Sequence, residues 1–193
     1  MKRSVRYWMT GAVATAVVLT CSLWTLAQEG SAKQQKPKDV FGMLRYLPGM
    51  WMGTGEGTPG TSEVAQRFKW ILDQKFLFGR TTSVFKPTET HPRGEVHEDW
   101  MIFSHDSGRD KIILRQFHTE GYVTQYVLED ISDAGTTLRF VTESVESGPP
   151  GMRARLTFHV GQDKELEQEF ELAPPGKDFS PCVSTRLKWK SGV

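Results

Sequence analysis

Cysteine is scarce. The 193-residue sequence holds two, Cys21 and Cys182. Cys21 lies inside an apolar leader, so the mature chain keeps one thiol and has no intramolecular disulfide available. Cys182 follows Pro181 with no histidine or helix start nearby to lower its pKa, and is expected to be an ordinary half-buried thiol. Charge of one sign is lacking as well. Lys and Arg number 24 against 23 Asp and Glu, for a net charge of +1. A phosphate backbone calls for a concentrated basic surplus, so nucleic acid is not an expected partner. No long apolar run follows residue 26, so no further membrane-crossing helix is expected. GxSxG, CxxC, HxH and HExxH spacings are all missing, which leaves a serine hydrolase, a thiol redox centre and a conventional zinc site without support.

What is present begins with a targeting signal. Lys2, Arg3 and Arg6 precede an apolar run from Trp8 to Leu26, and Thr25-Leu26-Ala27 offers small residues to a signal peptidase. Residues 1–27 therefore read as a secretory signal, and the protein as secreted or periplasmic. An uncleaved anchor, or a lipid on Cys21, is the alternative. Cleavage after Ala27 removes three basic residues and leaves 21 against 23 acidic ones, a mature net charge of −2. After cleavage no membrane insertion is expected. Residues 28–38 are polar, with Gly30, Ser31 and Pro37, and read as a linker to a domain spanning 39–193.

A short amphipathic turn is expected from Asp39, as cap, to Tyr46, with Val40, Met43, Leu44 and Leu47 on one side. Beyond Pro48 the hydrophobic period switches to two. Strands are expected at Gly49 to Gly57, Ser62 to Leu72, Phe76 to Lys86, Glu95 to Ser104, Lys111 to His118, Gly121 to Ile131, Thr136 to Val145, Arg153 to Gly161, Glu165 to Leu172 and Cys182 to Trp189. Turn signals such as Pro92-Arg93-Gly94, Asp106-Ser107-Gly108 and Pro174-Pro175-Gly176 separate them. Short turns leave no room for crossover helices, so the strands form an antiparallel meander. An open sheet of that size would expose two long edges, and closure removes them. The fold class is all-β, an up-and-down barrel of about ten strands with an internal cavity, since about eight strands already approach the limit that side chains can fill. A two-sheet sandwich is the alternative.

Alternation then sorts each strand into two faces, with the more apolar one placed inward. That rule places six polar-bearing faces inside: Gln66 with Trp70, Glu98 with Trp100, Gln116 with His118, Gln125, Glu143, and Gln168. An unpartnered buried amide or carboxyl costs about 1–3 kcal/mol, so such groups are expected to meet one another, water or a ligand's polar head. Gln66, Trp70, Glu98, Trp100, Gln116, His118, Gln125 and Glu143 are the candidate ligand-binding residues, for a small hydrophobic or amphipathic molecule. A water-filled structural network is the plainer account of the same pattern. His97 and Asp99 fall on the face opposite Glu98, His105 in a turn, His91 in a loop, and His159 on a polar face with Arg153, Arg155 and Thr157. His118 alone points inward, so a general base pairing it with Glu98 or Glu143 is a further alternative. Arg153 and Arg155 on one strand and Glu165, Glu167, Glu169 and Glu171 on the next are expected to make an outer charge ladder. Gly53-Thr54-Gly55-Glu56-Gly57 is not followed by the helix a phosphate loop needs, and its glycines are expected to let the first strand bend where the barrel closes.

The segment Leu47-Pro48-Gly49-Met50-Trp51-Met52-Gly53-Thr54-Gly55-Glu56-Gly57 resembles the GxWxGxGxG opening of nitrobindin-like and related fatty-acid-binding-protein-like barrels, lipocalin-like members of the calycins. The resemblance extends more loosely through Gln66-Arg67-Phe68-Lys69-Trp70 to Leu187-Lys188-Trp189-Lys190. It implies that the Trp51 indole packs across one barrel end. It also implies haem as a cofactor, held by a last-strand histidine, but Cys182 to Trp189 contains none and the nearest positions are Val183 to Thr185. No haem ligand is therefore carried over, and haem stays an alternative to an organic ligand. The expectation is an exported binding protein rather than an enzyme.

Overall fold

The computed structural model describes residues 39–58, 60–89, 92–132, 136–161 and 163–192. The leader, the linker, His91 and parts of four turns lie outside them. Ten strands follow a short 3₁₀ turn, Gly42–Tyr46: β1 Gly49–Gly57, β2 Gly60–Ile71, β3 Phe76–Phe85, β4 Glu95–Asp106, β5 Lys111–His118, β6 Val123–Ser132, β7 Thr137–Glu146, β8 Arg153–Val160, β9 Glu165–Ala173 and β10 Ser180–Ser191. Each pairs antiparallel with its sequence neighbour, and β10 returns to β1, closing the barrel. Every strand foreseen from the period-two pattern is present, and closure leaves no exposed edge. No helix among the described residues is long and apolar enough to cross a membrane.

Closure depends on the first strand's glycines. A Cβ on Gly53 would sit 1.9 Å from the Arg186 carbonyl oxygen, and one on Gly57 would sit 2.1 Å from that of Cys182. Both contacts are with β10 backbone, which cannot rotate away. The missing side chains let β10 approach β1 closely enough to pair.

The two ends of the barrel differ. At the end where β1 starts, the 3₁₀ turn buries Phe41, Leu44 and Leu47 against Phe68, Leu77, Phe103, Phe140 and Phe158, all within one apolar cluster. Phe103 meets Phe140 edge-on at 5.6 Å and Phe158 at 6.0 Å, the arrangement ring quadrupoles favour. Trp51 is buried here and its Nε1–H donates to the Leu47 carbonyl at 2.7 Å. Asp39 accepts the Phe41 amide at 3.2 Å and the Arg45 Nε–H at 2.5 Å, so it ties the entry of the turn, while Phe41 takes the cap position itself. Trp70, one of the candidate ligand contacts, packs edge-on against Phe41 at 5.0 Å and belongs to this closed end.

The outer surface carries the expected charge pairs in modified form. Arg155 grips Glu171 with two hydrogen bonds across the β8–β9 pair. Arg153 instead donates to the Lys177 carbonyl, and Glu165 and Glu167 pair with Lys188 and Arg186 of β10. Cys182 is a half-buried free thiol.

Candidate functional site

The inward faces of β2, β5 and β9 are as the alternation indicates: Gln66, Gln116 and Gln168 are buried, and the His118 side chain is 5% exposed. Three other strands present the opposite face, which corrects four of the candidate residues. In β4 the interior receives His97, Asp99, Met101 and Phe103, while Glu98 and Trp100 point outward. The greater apolarity of Val96, Trp100 and Ile102 misleads because this outer face is itself apolar. Trp100, 49% exposed, meets Phe78 edge-on at 5.6 Å and donates Nε1–H to Glu98 at 2.7 Å. In β6 Thr124 and Tyr126 are buried and Gln125 turns out. In β7 Leu138 and Phe140 are buried, so straight alternation already turns Glu143 outward, and a bulge beyond Thr142 then sets Val145 against the buried Thr124. Glu143 accepts from Arg109 and from Gln125 on the outer surface.

Neither Glu98 nor Glu143 is therefore brought to His118. Arg80, then Trp100, hold the Glu98 carboxyl below the usual range, and Arg109, then Gln125, do the same for Glu143. Both act as outer-surface ion-pair partners.

The carboxylate that meets His118 is Asp99. Pairing of β4 with β5 sets Asp99 directly opposite His118, and His118 Nδ1 lies 2.9 Å from Asp99 Oδ1. On the other side of Asp99, its Oδ2 lies 3.2 Å from His97 Nε2. His97 Nδ1 in turn lies 3.2 Å from Glu120 Oε1. The Tyr122 ring stacks on His118 with centroids 4.2 Å apart, and Thr124 Oγ1 lies 3.2 Å from His118 Nε2. Thr119 extends the β4–β5 pairing past its last residue, its hydroxyl donating to the Glu98 carbonyl at 2.6 Å and accepting the Glu98 amide at 3.0 Å.

Burial and charge oppose each other at this cluster. Desolvation acts to raise the Asp99 pKa, but the imidazoles of His118 and His97 outweigh it and hold the carboxyl below its usual range. Asp99 in turn pushes His97 up, against desolvation. Burial lifts the Tyr122 phenol to about 12. Asp99 Oδ1 is buried without an aligned hydrogen-bond donor, although His118 Nδ1 stands beside it.

Below this cluster the interior is satisfied from within. Gln66 and Gln168 exchange hydrogen bonds, and the Tyr126 hydroxyl donates to Gln116 Oε1 at 3.3 Å. Of the eight candidate residues, Gln116 and His118 belong to the end that the 3₁₀ turn does not cover, termed the open end, while Gln66 sits at mid-barrel and Trp70 at the closed end. His97, Asp99, Glu120 and Tyr122 were not foreseen. Their sequence signal is the pair His97-x-Asp99 and His118-x-Glu120, two alternating imidazole–carboxylate couples on strands joined by one turn.

No family model matches the sequence, and no curated protein matches it. Among solved structures, the crystal structure of Rv2717c from M. tuberculosis is similar with a TM-score of 0.59 and 16% sequence identity, covering 79% of this chain and 98% of that one. At this identity the similarity shows a shared barrel fold.

Proposed function

We propose that the protein is exported and that its barrel binds a small, partly apolar molecule through the open end. The observation that supports this reading is the division of the interior. Aromatic rings and leucines fill the closed end. Toward the open end the inward residues are short and hydrogen-bonding, Ser62, Thr81, Thr124 and Thr185, with Asp99 and His118 among them. Opposite, Phe170 and Leu172 of β9 remain only partly buried. An apolar wall facing a polar one suits a molecule with a hydrocarbon body and a polar head. The fold is compatible with the resemblance to nitrobindin-like and fatty-acid-binding-protein-like barrels, and the buried Trp51 is consistent with that opening motif. An acid/base enzyme pairing His118 with Glu98 or Glu143 has no geometric support, because both carboxylates lie on the outer wall.

The test is a titration of the purified protein with a panel of fluorescent fatty acids and with haem, repeated on His118→Ala and Glu98→Gln. The expected result is saturation near one equivalent, weakened about tenfold or more by His118→Ala, the value of a lost charged hydrogen bond, and unchanged by Glu98→Gln. A Soret band lost in His118→Ala identifies the bound molecule as haem with a relocated ligand. Failure of every member of the panel to saturate overturns the reading.

A further inference from the structure

The open end carries two couples that cross. On β4, His97 and Asp99 are two residues apart and share the inner side; on the facing chain His118 and Glu120 are also two apart. Antiparallel pairing sets Asp99 against His118, and the same offset, carried one step past the strand end by the Thr119 hydroxyl, sets His97 against Glu120. Each imidazole thus faces a carboxylate, and the two imidazoles meet across the diagonal. Ligand atoms of His97, His118 and Glu120 all lie within 4.8 Å of one another.

From this geometry we propose that the open end binds a divalent transition-metal ion on His97, His118 and Glu120, with Asp99 orienting the imidazoles. The inference goes beyond the small-molecule reading and does not rest on it. Two nitrogens and one carboxylate oxygen are a donor set that zinc accepts, with a fourth position left open. Ligand atoms around a tetrahedral zinc at about 2.0–2.1 Å lie about 3.4 Å apart. His97 Nδ1 and Glu120 Oε1, at 3.2 Å, already match that separation. With Nδ1 of His97 turned to the metal, its Nε2–H donates to Asp99 Oδ2 at 3.2 Å, the outer-shell carboxylate that typically fixes a ligating imidazole.

A second observation points the same way. His118 Nδ1 faces Asp99 Oδ1 at 2.9 Å and its Nε2 faces Thr124 Oγ1 at 3.2 Å. Asp99 Oδ1 is buried and has no aligned donor. A buried carboxylate oxygen without an aligned donor favours a cation close by. The Tyr122 ring stacked on His118 and the β-strand backbone on either side hold the imidazole in place, so little ordering remains to be done on binding.

The experiment is calorimetric titration of chelator-treated protein with Zn²⁺, together with Co²⁺ titration followed by visible absorption. One equivalent of Zn²⁺ is expected to bind, and Co²⁺ to develop the intense visible bands of a low-coordinate nitrogen–oxygen site. Glu120 is exposed in a turn, so Glu120→Gln tests the site without touching the core, and is expected to weaken Zn²⁺ by about tenfold or more. Asp99→Asn is expected to cost about 10–100-fold, as outer-shell partners do. His97→Ala with His118→Ala abolishes binding, and Glu143→Gln, on the outer wall, leaves it unchanged. Circular dichroism checks that each variant keeps its strands. Lack of saturable Zn²⁺ binding, or binding indifferent to both Glu120→Gln and the histidine pair, overturns the proposal. Fatty-acid titration of the same metal-free protein separates this failure from failure of the small-molecule reading.

Discussion

Gln66 and Gln168, 102 residues apart in sequence, donate to each other's side-chain oxygen at 2.7 Å inside the barrel. Both amides are buried, at 3% and 6% exposure. Removing one partner strands the other, whereas removing both leaves nothing unsatisfied. Gln66→Met is therefore expected to destabilise the protein by about 1–3 kcal/mol. The double variant Gln66→Met/Gln168→Met should return to within about 1 kcal/mol of wild type. Urea unfolding of the four proteins gives the coupling directly; additive losses would mean that the two amides do not depend on each other.

Barrel closure supplies a second prediction. Because a Cβ at Gly53 meets the Arg186 carbonyl at 1.9 Å, Gly53→Ala must push β10 away from β1. A loss of about 3 kcal/mol or more is expected, at the upper end of overpacking effects. Gly192→Ala, with nothing within 4 Å of its Cβ, serves as control and should stay within about 0.5 kcal/mol. Equal midpoints for the two variants in a denaturant titration would contradict the closure argument.

Alkaline stability should depend on Tyr126. Its phenol is fully buried, and burial raises its pKa well above the usual tyrosine range. In the unfolded chain it titrates at about pH 10. Above that pH the unfolded state has released a proton that the folded state still holds, so stability from this group is whole below about pH 10 and falls as pH rises. Between about pH 10 and about pH 11, wild type should lose up to about 1.4 kcal/mol that Tyr126→Phe does not. Parallel slopes of stability against pH for the two proteins would show that Tyr126 ionises without unfolding.

The barrel was legible along the chain because strand periodicity and turn chemistry are local. Alternation of two also placed Gln66, Gln116, His118 and Gln168 inward without error. It failed at Glu98 and Trp100 because apolarity was taken as the mark of an inner face, and here Phe78 and Trp100 cover each other outside while the polar open end takes His97 and Asp99. It failed at Glu143 because Val141 and Val145 read as one inner face, whereas Leu138 and Phe140 hold the interior and a bulge that no residue type announces puts the two valines on different faces. The couple His97-x-Asp99 was readable as two residues on one side of a strand, but nothing in the chain says which side.

The sequence alone determined ten short strands joined by tight turns, since each strand needs only its own alternation and the turn beside it, and it favoured closure over a two-sheet sandwich; the β10 backbone packed against Gly53 and Gly57 is what the tertiary structure adds. The tertiary structure decided which polar groups share the interior. Register between β4 and β5 brings Asp99 to His118 and His97 to Glu120, and closure of the sheet brings Gln66 to Gln168. Such pairings depend on inter-strand offset and on ring closure, which couple residues far apart in the chain and leave no periodic trace in either strand alone.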